Sequence, residues 1–119
     1  MDQKCPIANV AGFLGKRWTI VVMAELYRGR EQWKRYSHVK KGVRGITPKM
    51  LAMRLRELEK EGIIERRVST DEMPMKSEYR LTERGREFMD VVIHLKGWAL
   101  KWKVGNSHCE NATCFECSI

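Results

Sequence analysis

The sequence predicts a mainly α domain, of the α+β class, in which a series of helices encloses one β-hairpin. Three observations carry this. Apolar residues recur at helical spacing over most of the chain, the period shortens to two between Gly62 and Leu81, and helical spacing returns from Thr82 onward. At 119 residues the chain is long enough for one domain with its own core and too short for two ordinary ones. No repeat or low-complexity tract interrupts it.

The elements follow in order. A short helix is expected from Pro6 to about Leu14, with Cys5 just before it. A second, from about Lys16 to Tyr27, carries a buried stripe of Trp18, Val21, Val22 and Leu26, and Gly29 ends it. A third, from roughly Gln32 to Lys41, buries Trp33, Tyr36 and Val39. The turn "GVRG" leads to a fourth, from about Pro48 to Glu61. Thr47 is its N-cap, Pro48 suits its first turn, Leu51, Leu55 and Leu58 form its buried face, and Gly62 stops it in a left-handed conformation.

Next, "IIERRVS" puts Ile64 and Val68 on one face and "SEYRL" does the same with Tyr79 and Leu81. The polar "TDEMPMK" between them reads as the turn of a hairpin about eighteen residues long. The last helix, with Thr82 as a cap, is apolar on two sides. Phe88, Val92, Leu95, Trp98, Ala99 and Trp102 make one stripe, and Met89, Ile93, Leu100 and Val104 make another. A monomer of this size needs one buried face, so the second predicts a partner copy of the chain. His94 flanks this packing and is not expected to act as a ligand or base.

Charge narrows the function. The formal net charge is +8, and +7 of it lies between Arg28 and Lys49, where Glu31 is the one acid among eight cations. Such a concentrated field points to a polyanion, with nucleic acid the leading candidate. A membrane surface fits less well, because Gly29, Gly42 and Gly45 prevent one long amphipathic helix. No apolar run is long enough to span a bilayer, and the opening "MDQKCPIANV" lacks a signal-peptide layout, so a cytoplasmic protein is expected. The scattered His38, His94 and His108, with no glycine-rich phosphate loop or spaced nucleophile–base pair, argue against an enzyme.

In the fourth helix the charges run against the macrodipole. Lys49, Arg54 and Arg56 precede Glu57, Glu59 and Glu61, at a cost of about a few tenths of a kcal/mol per exposed charge. With Leu51 and Leu55 inward, Lys49, Met53, Arg56 and Lys60 face out. A short helix, a turn, a longer helix with a basic leading half and then a hairpin is the order of a winged helix-turn-helix. Its second helix fits the DNA major groove, where leading residues reach base edges. The hairpin offers Arg67 on an outward strand position and Lys76 near its tip to the backbone or minor groove.

The chain resembles the HxlR-type family of winged helix-turn-helix transcriptional regulators, relatives of the MarR type. The resemblance rests on "CPI" at Cys5, "GKRWT" from Gly15, "RYSHV" from Arg35, "GITPKMLAMRLRELEKEGII" from Gly45 and "EYRLTERG" from Glu78. It spans about Cys5 to Trp102, departing at His38, where an acid is usual, and at Arg17 within the "G-K-W" pattern. It implies a homodimer built from added N- and C-terminal dimerisation helices, bound to a near-palindromic operator in double-stranded DNA. Carried onto these residues, it sets Thr47, Lys49, Met50, Met53 and Arg54 toward the groove and Arg56 near phosphates. Lys34, Arg35 and Lys40 would grip backbone ahead of the helix. Most such contacts supply affinity and salt dependence, and only the groove-facing few specify sequence. Met50 and Met53 stand between core packing and contact with thymine methyls. On this reading residues 1–105 form the winged domain with its dimerisation helices, and residues 106–119 form a cysteine-rich tail outside the resemblance.

Cys5 stands at a helix N-terminus beside Lys4, and both features favour the thiolate. The resemblance implies that it could sense oxidants or electrophiles; an inert thiol at a dimer interface is the other reading. In the tail, Cys109, Cys114 and Cys117 form C-x4-C-x2-C. Zinc or another metal there would need His108 or Cys5 as a fourth ligand; thiol redox chemistry and no role at all are the alternatives. Two rival functions remain beside a sequence-specific regulator: a winged-helix protein-interaction module and a nonspecific DNA-binding protein. A steep fall of DNA affinity with salt, together with preference for one sequence, separates them.

Overall fold

A computed structural model describes residues 5–28, 33–69, 71, 73 and 76–102. Five helices and three strands follow in the order α1 (Pro6–Leu14), α2 (Thr19–Tyr27), β1 (Lys34–Arg35), α3 (Tyr36–Gly42), α4 (Pro48–Lys60), β2 (Ile64–Ser69), β3 (Lys76–Leu81) and α5 (Glu83–Trp102). The strands make an antiparallel sheet in the order β1-β3-β2, with Ile64 opposite Leu81 and Lys34 opposite Tyr79.

The core lies where α2, α3 and α4 meet the inner face of the hairpin and the start of α5. Val22, Met23, Leu26, Val39, Leu51, Leu55, Leu58, Ile63, Ile64, Leu81 and Met89 are all buried there. Thr82 closes the wing onto α5. Its hydroxyl donates to the Gly62 carbonyl at 2.6 Å and accepts from the Gly85 N–H at 3.1 Å, capping the long helix. Gly85 has no room for a side chain, since a Cβ would sit 2.1 Å from the Ile63 carbonyl oxygen.

The helix boundaries expected for α1 and α4 hold, and Gly62 takes φ +76 as a left-handed stop. Others shift. α2 begins three residues later than its spacing suggests because Trp18 adopts φ 81, in the left-handed region, and breaks any helix running from Lys16. Within α2, Val21 is 49% exposed, and Thr19, Met23 and Glu25 join Val22 and Leu26 inside. The third helix starts only at Tyr36, because Lys34 and Arg35 pair with β3 instead. Trp33 is therefore not a helical core residue; its half-buried ring lies under the guanidinium groups of Arg67 and Arg80, each 4.4 Å from the ring centroid.

Val68 is 41% exposed, so the hairpin's inner face is apolar only near its base. On α5 the division of the apolar residues also differs. Met89 is buried, Phe88 and Val92 pack against the core, and Val91, Leu95, Trp98 and Trp102 stand 50–67% exposed. α1 packs beside α2 and touches α5 through Phe13, whose ring centroid lies 5.9 Å from that of Phe88, and it buries no residue of its own. Gly29, Gln32, Val104 and the tail from residue 106 lie outside the described residues.

Candidate nucleic-acid interface

α3, the turn through residues 43–47 and α4 form the helix-turn-helix. Val43 and Ile46 anchor the turn in the core, while Gly45, at φ +88, lets the chain reverse between them. The edge of the Trp18 ring lies 3.6 Å from where a Gly45 Cβ would stand. At the start of α4 the Thr47 hydroxyl accepts from the Met50 N–H at 3.1 Å, and the Tyr36 hydroxyl donates to the Pro48 carbonyl at 3.0 Å. The first turn of α4 carries no acid. The positive end of its dipole is thus not offset by an acid of its own first turn.

The outward side of α4 comprises Lys49, Met53, Arg56, Glu59 and Lys60, with Thr47 and Pro48 exposed at its head. Met53 is 38% exposed, whereas Met50 is half-buried and packs against the core, which assigns Met50 mainly to packing.

Arg54 does not face outward. It is 8% exposed; its Nε donates to the Arg17 carbonyl at 2.7 Å, and its Nη1 pairs with Glu57 at 3.0 Å. Glu57 also receives the Lys16 ammonium at 3.2 Å. Burial pushes the Glu57 carboxyl up, but the Lys16 hydrogen bond and the Arg54 charge outweigh it and hold its pKa below the ordinary value. Arg54 is thus a structural tie between α4 and the turn after α1.

Lys34 is likewise turned in. Its ammonium donates to the Glu25 carboxylate at 2.9 Å and to the Glu25 carbonyl at 3.0 Å. Glu25, 9% exposed, also pairs with Arg28, so a buried acid neutralises part of the basic field. Its carboxylate abuts Gly42, where a Cβ would come within 2.1 Å of it.

Arg35 and Lys40 are half-buried. Lys41 and Arg44, two further cations of the basic field, are exposed on α3 and in the turn that leads to α4. Arg67 pairs with Glu78 at 3.0 Å while stacking on Trp33, so it braces the outer face of the sheet. Lys76 is exposed at the start of β3, next to the hairpin tip. Arg66, which carries no sequence signal of a site residue, lies on the inner face of the wing opposite Tyr79.

Cys5 is half-buried at the N-cap of α1, makes no side-chain capping bond, and forms no disulfide among the described residues. Cys109, Cys114, Cys117 and His108 lie outside the described residues, and among the described ones no cluster could hold a metal. No described helix is long and apolar enough to cross a membrane.

The fold is a winged helix-turn-helix with an exposed basic helix. Residues 13–107 match the family described as HxlR-like helix-turn-helix, and the chain belongs to that family. It is 38% identical over 115 residues to the uncharacterized HTH-type transcriptional regulator sll1512 of Synechocystis, covering 97% of this chain and 77% of that one. It is 36% identical over 108 residues to the HTH-type transcriptional regulator YodB of Bacillus subtilis, covering 89% and 93% of the two chains. The structure of reduced YodB superposes with TM-score 0.71 at 34% identity, over 87% of this chain and 99% of that one. The oxidised form of the redox regulator HypR superposes with TM-score 0.66 at 33% identity, over 82% and 96%. This chain is accordingly a regulator of transcription and not an enzyme.

Proposed function

We infer that two copies of this chain bind a near-palindromic operator in double-stranded DNA, each placing α4 in a major groove. The observation that carries this is the outward row Thr47, Lys49, Met53 and Arg56 on a helix whose first turn has no acid. Lys41 and Arg44 add positive charge beside it. Lys40 and Lys76 are placed at the flanking backbone. Lys49 and Met53 read base edges; the others supply affinity that falls with salt. Residues 1–105 act as one unit in this reading, with residues 106–119 as an appended tail, in the cytoplasm.

The dimer follows from the exposed stripe Val91, Leu95, Trp98 and Trp102 on α5 and from Ile7, 80% exposed on α1. A second copy covers such a surface by presenting the same one. The signal is thiol chemistry at Cys5, an expectation supported by the reduced YodB and oxidised HypR structures this chain resembles. Electrophoretic mobility shifts on duplexes selected from a random library test the reading. Lys49→Ala and Met53→Ala should lose preference among sequences, and Lys41→Ala should weaken all sequences alike. Equal binding of every duplex by the wild-type chain would instead favour nonspecific DNA binding.

A further inference from the structure

Between α4 and the inner face of the wing lies a cleft of about 200 Å³, lined by Tyr36, Ala52, Leu55, Arg56, Glu59, Arg66 and Tyr79. Its floor is apolar, from Leu55, Ala52 and the tyrosine rings, and its mouth is charged. Arg66 is fixed in direction, since its Nε and Nη2 donate to the Ser77 hydroxyl at 3.3 and 3.0 Å. That leaves Nη1 unbonded among the described residues. Arg56 is exposed, and no described carboxylate pairs with it, Glu59 one turn away included. Two guanidinium groups on facing elements thus stand at one cleft with capacity to donate.

We propose that this cleft seats a phosphate of the DNA strand running between the major groove and the wing, gripped by Arg56 and Arg66 together. The inference rests on the reading of α4 as the groove helix. With that helix in the major groove and the wing alongside, the intervening backbone passes the gap between them. Guanidinium is the group best shaped for a phosphate oxygen pair, and holding one arm against Ser77 reduces the ordering needed on binding. Glu59 opposes the same phosphate and limits its hold. Arg66 thereby becomes a DNA-binding residue.

The test uses the full chain and a duplex that it selects from a random library, titrated at several salt concentrations. Arg56→Gln and Arg66→Gln should each weaken binding roughly five- to ten-fold and flatten the salt slope by about 0.9, with no change of sequence preference. Arg66→Lys should keep the slope. A scan of single methylphosphonates, each removing one phosphate charge, should find one position per half-site that weakens the wild-type chain but not Arg66→Gln. Glu59→Gln should tighten binding to the all-phosphate duplex and not to the one neutralised there.

Unchanged affinity and slope in both glutamine variants, or a methylphosphonate profile shared by the wild type and Arg66→Gln, would overturn the phosphate seat while leaving the groove helix intact. A wild-type chain that binds no duplex would overturn both.

Discussion

Arg54 shows how one buried side chain can tie a helix to the rest of the fold. Its bonds to the Arg17 carbonyl and to Glu57 join α4 to the turn that carries the left-handed Trp18. Arg54→Ala should destabilise the fold by about 1–3 kcal/mol in urea unfolding, since the Arg17 carbonyl and the Glu57 carboxylate both lose a part-buried charged partner. A loss of DNA binding with unchanged stability would mean that Arg54 does reach the groove. Glu57 gives a signed pH prediction. Its folded pKa is depressed, so its stabilising effect is fully present above the unfolded carboxylate pKa and is lost as pH falls through the folded one. The stability gap between wild type and Glu57→Gln should therefore be largest near neutrality and close in acid; a gap that widens in acid contradicts the assignment. Arg54 also shows what the sequence made legible. Position 54 is three after Leu51 and one before Leu55, so the spacing itself places it inside, yet its charge argued for the outside. What decides is the carboxylate of Glu57 and a carbonyl thirty-seven positions earlier, and the second cannot be seen from spacing.

At the scale of elements, α4 was the most legible because its signals are local: an N-cap, a first-turn proline, a leucine stripe and a glycine stop. Thr47→Ala should cost about 1 kcal/mol through the lost bond to the Met50 N–H. Gly62→Ala should cost roughly 1–2 kcal/mol, because a Cβ is disfavoured at φ +76. Thermal or chemical unfolding checks both, and a neutral Gly62→Ala would mean that the turn relaxes. The strand β1 was not legible. Two residues carry no periodicity, and their strand character comes from pairing with β3 more than forty positions later. Trp33, expected in a helix, finds its partners Arg67 and Arg80 only once that pairing forms. Arg66 sits between Ile64 and Val68 on the face that the alternation turns inward, so its side was legible; its bonds to Ser77 and its place beside α4 come only with the fold. Lys34 was hidden by Glu25, whose burial on α2 draws the lysine inward.

For the whole molecule, the exposed tryptophans of α5 and the basic helix α4 belong to one account, in which pairing of two copies sets the distance between two reading helices. Trp98→Glu should convert a dimer in sedimentation analysis to a monomer and weaken binding to a two-half-site duplex far more than to a single half-site. A wild-type chain that sediments as a monomer at micromolar concentration would refute the dimer. The most direct measurement of the central claim, that the outer face of α4 reads DNA, is selection from a random duplex library by the reduced protein, repeated with Lys49→Ala and Met53→Ala together. The account predicts a near-palindrome with half-sites about one helical turn, or a multiple of it, apart, whose inner preferences relax in the double variant. Enrichment of the same sequence by both proteins, or of none by the wild type, would contradict it.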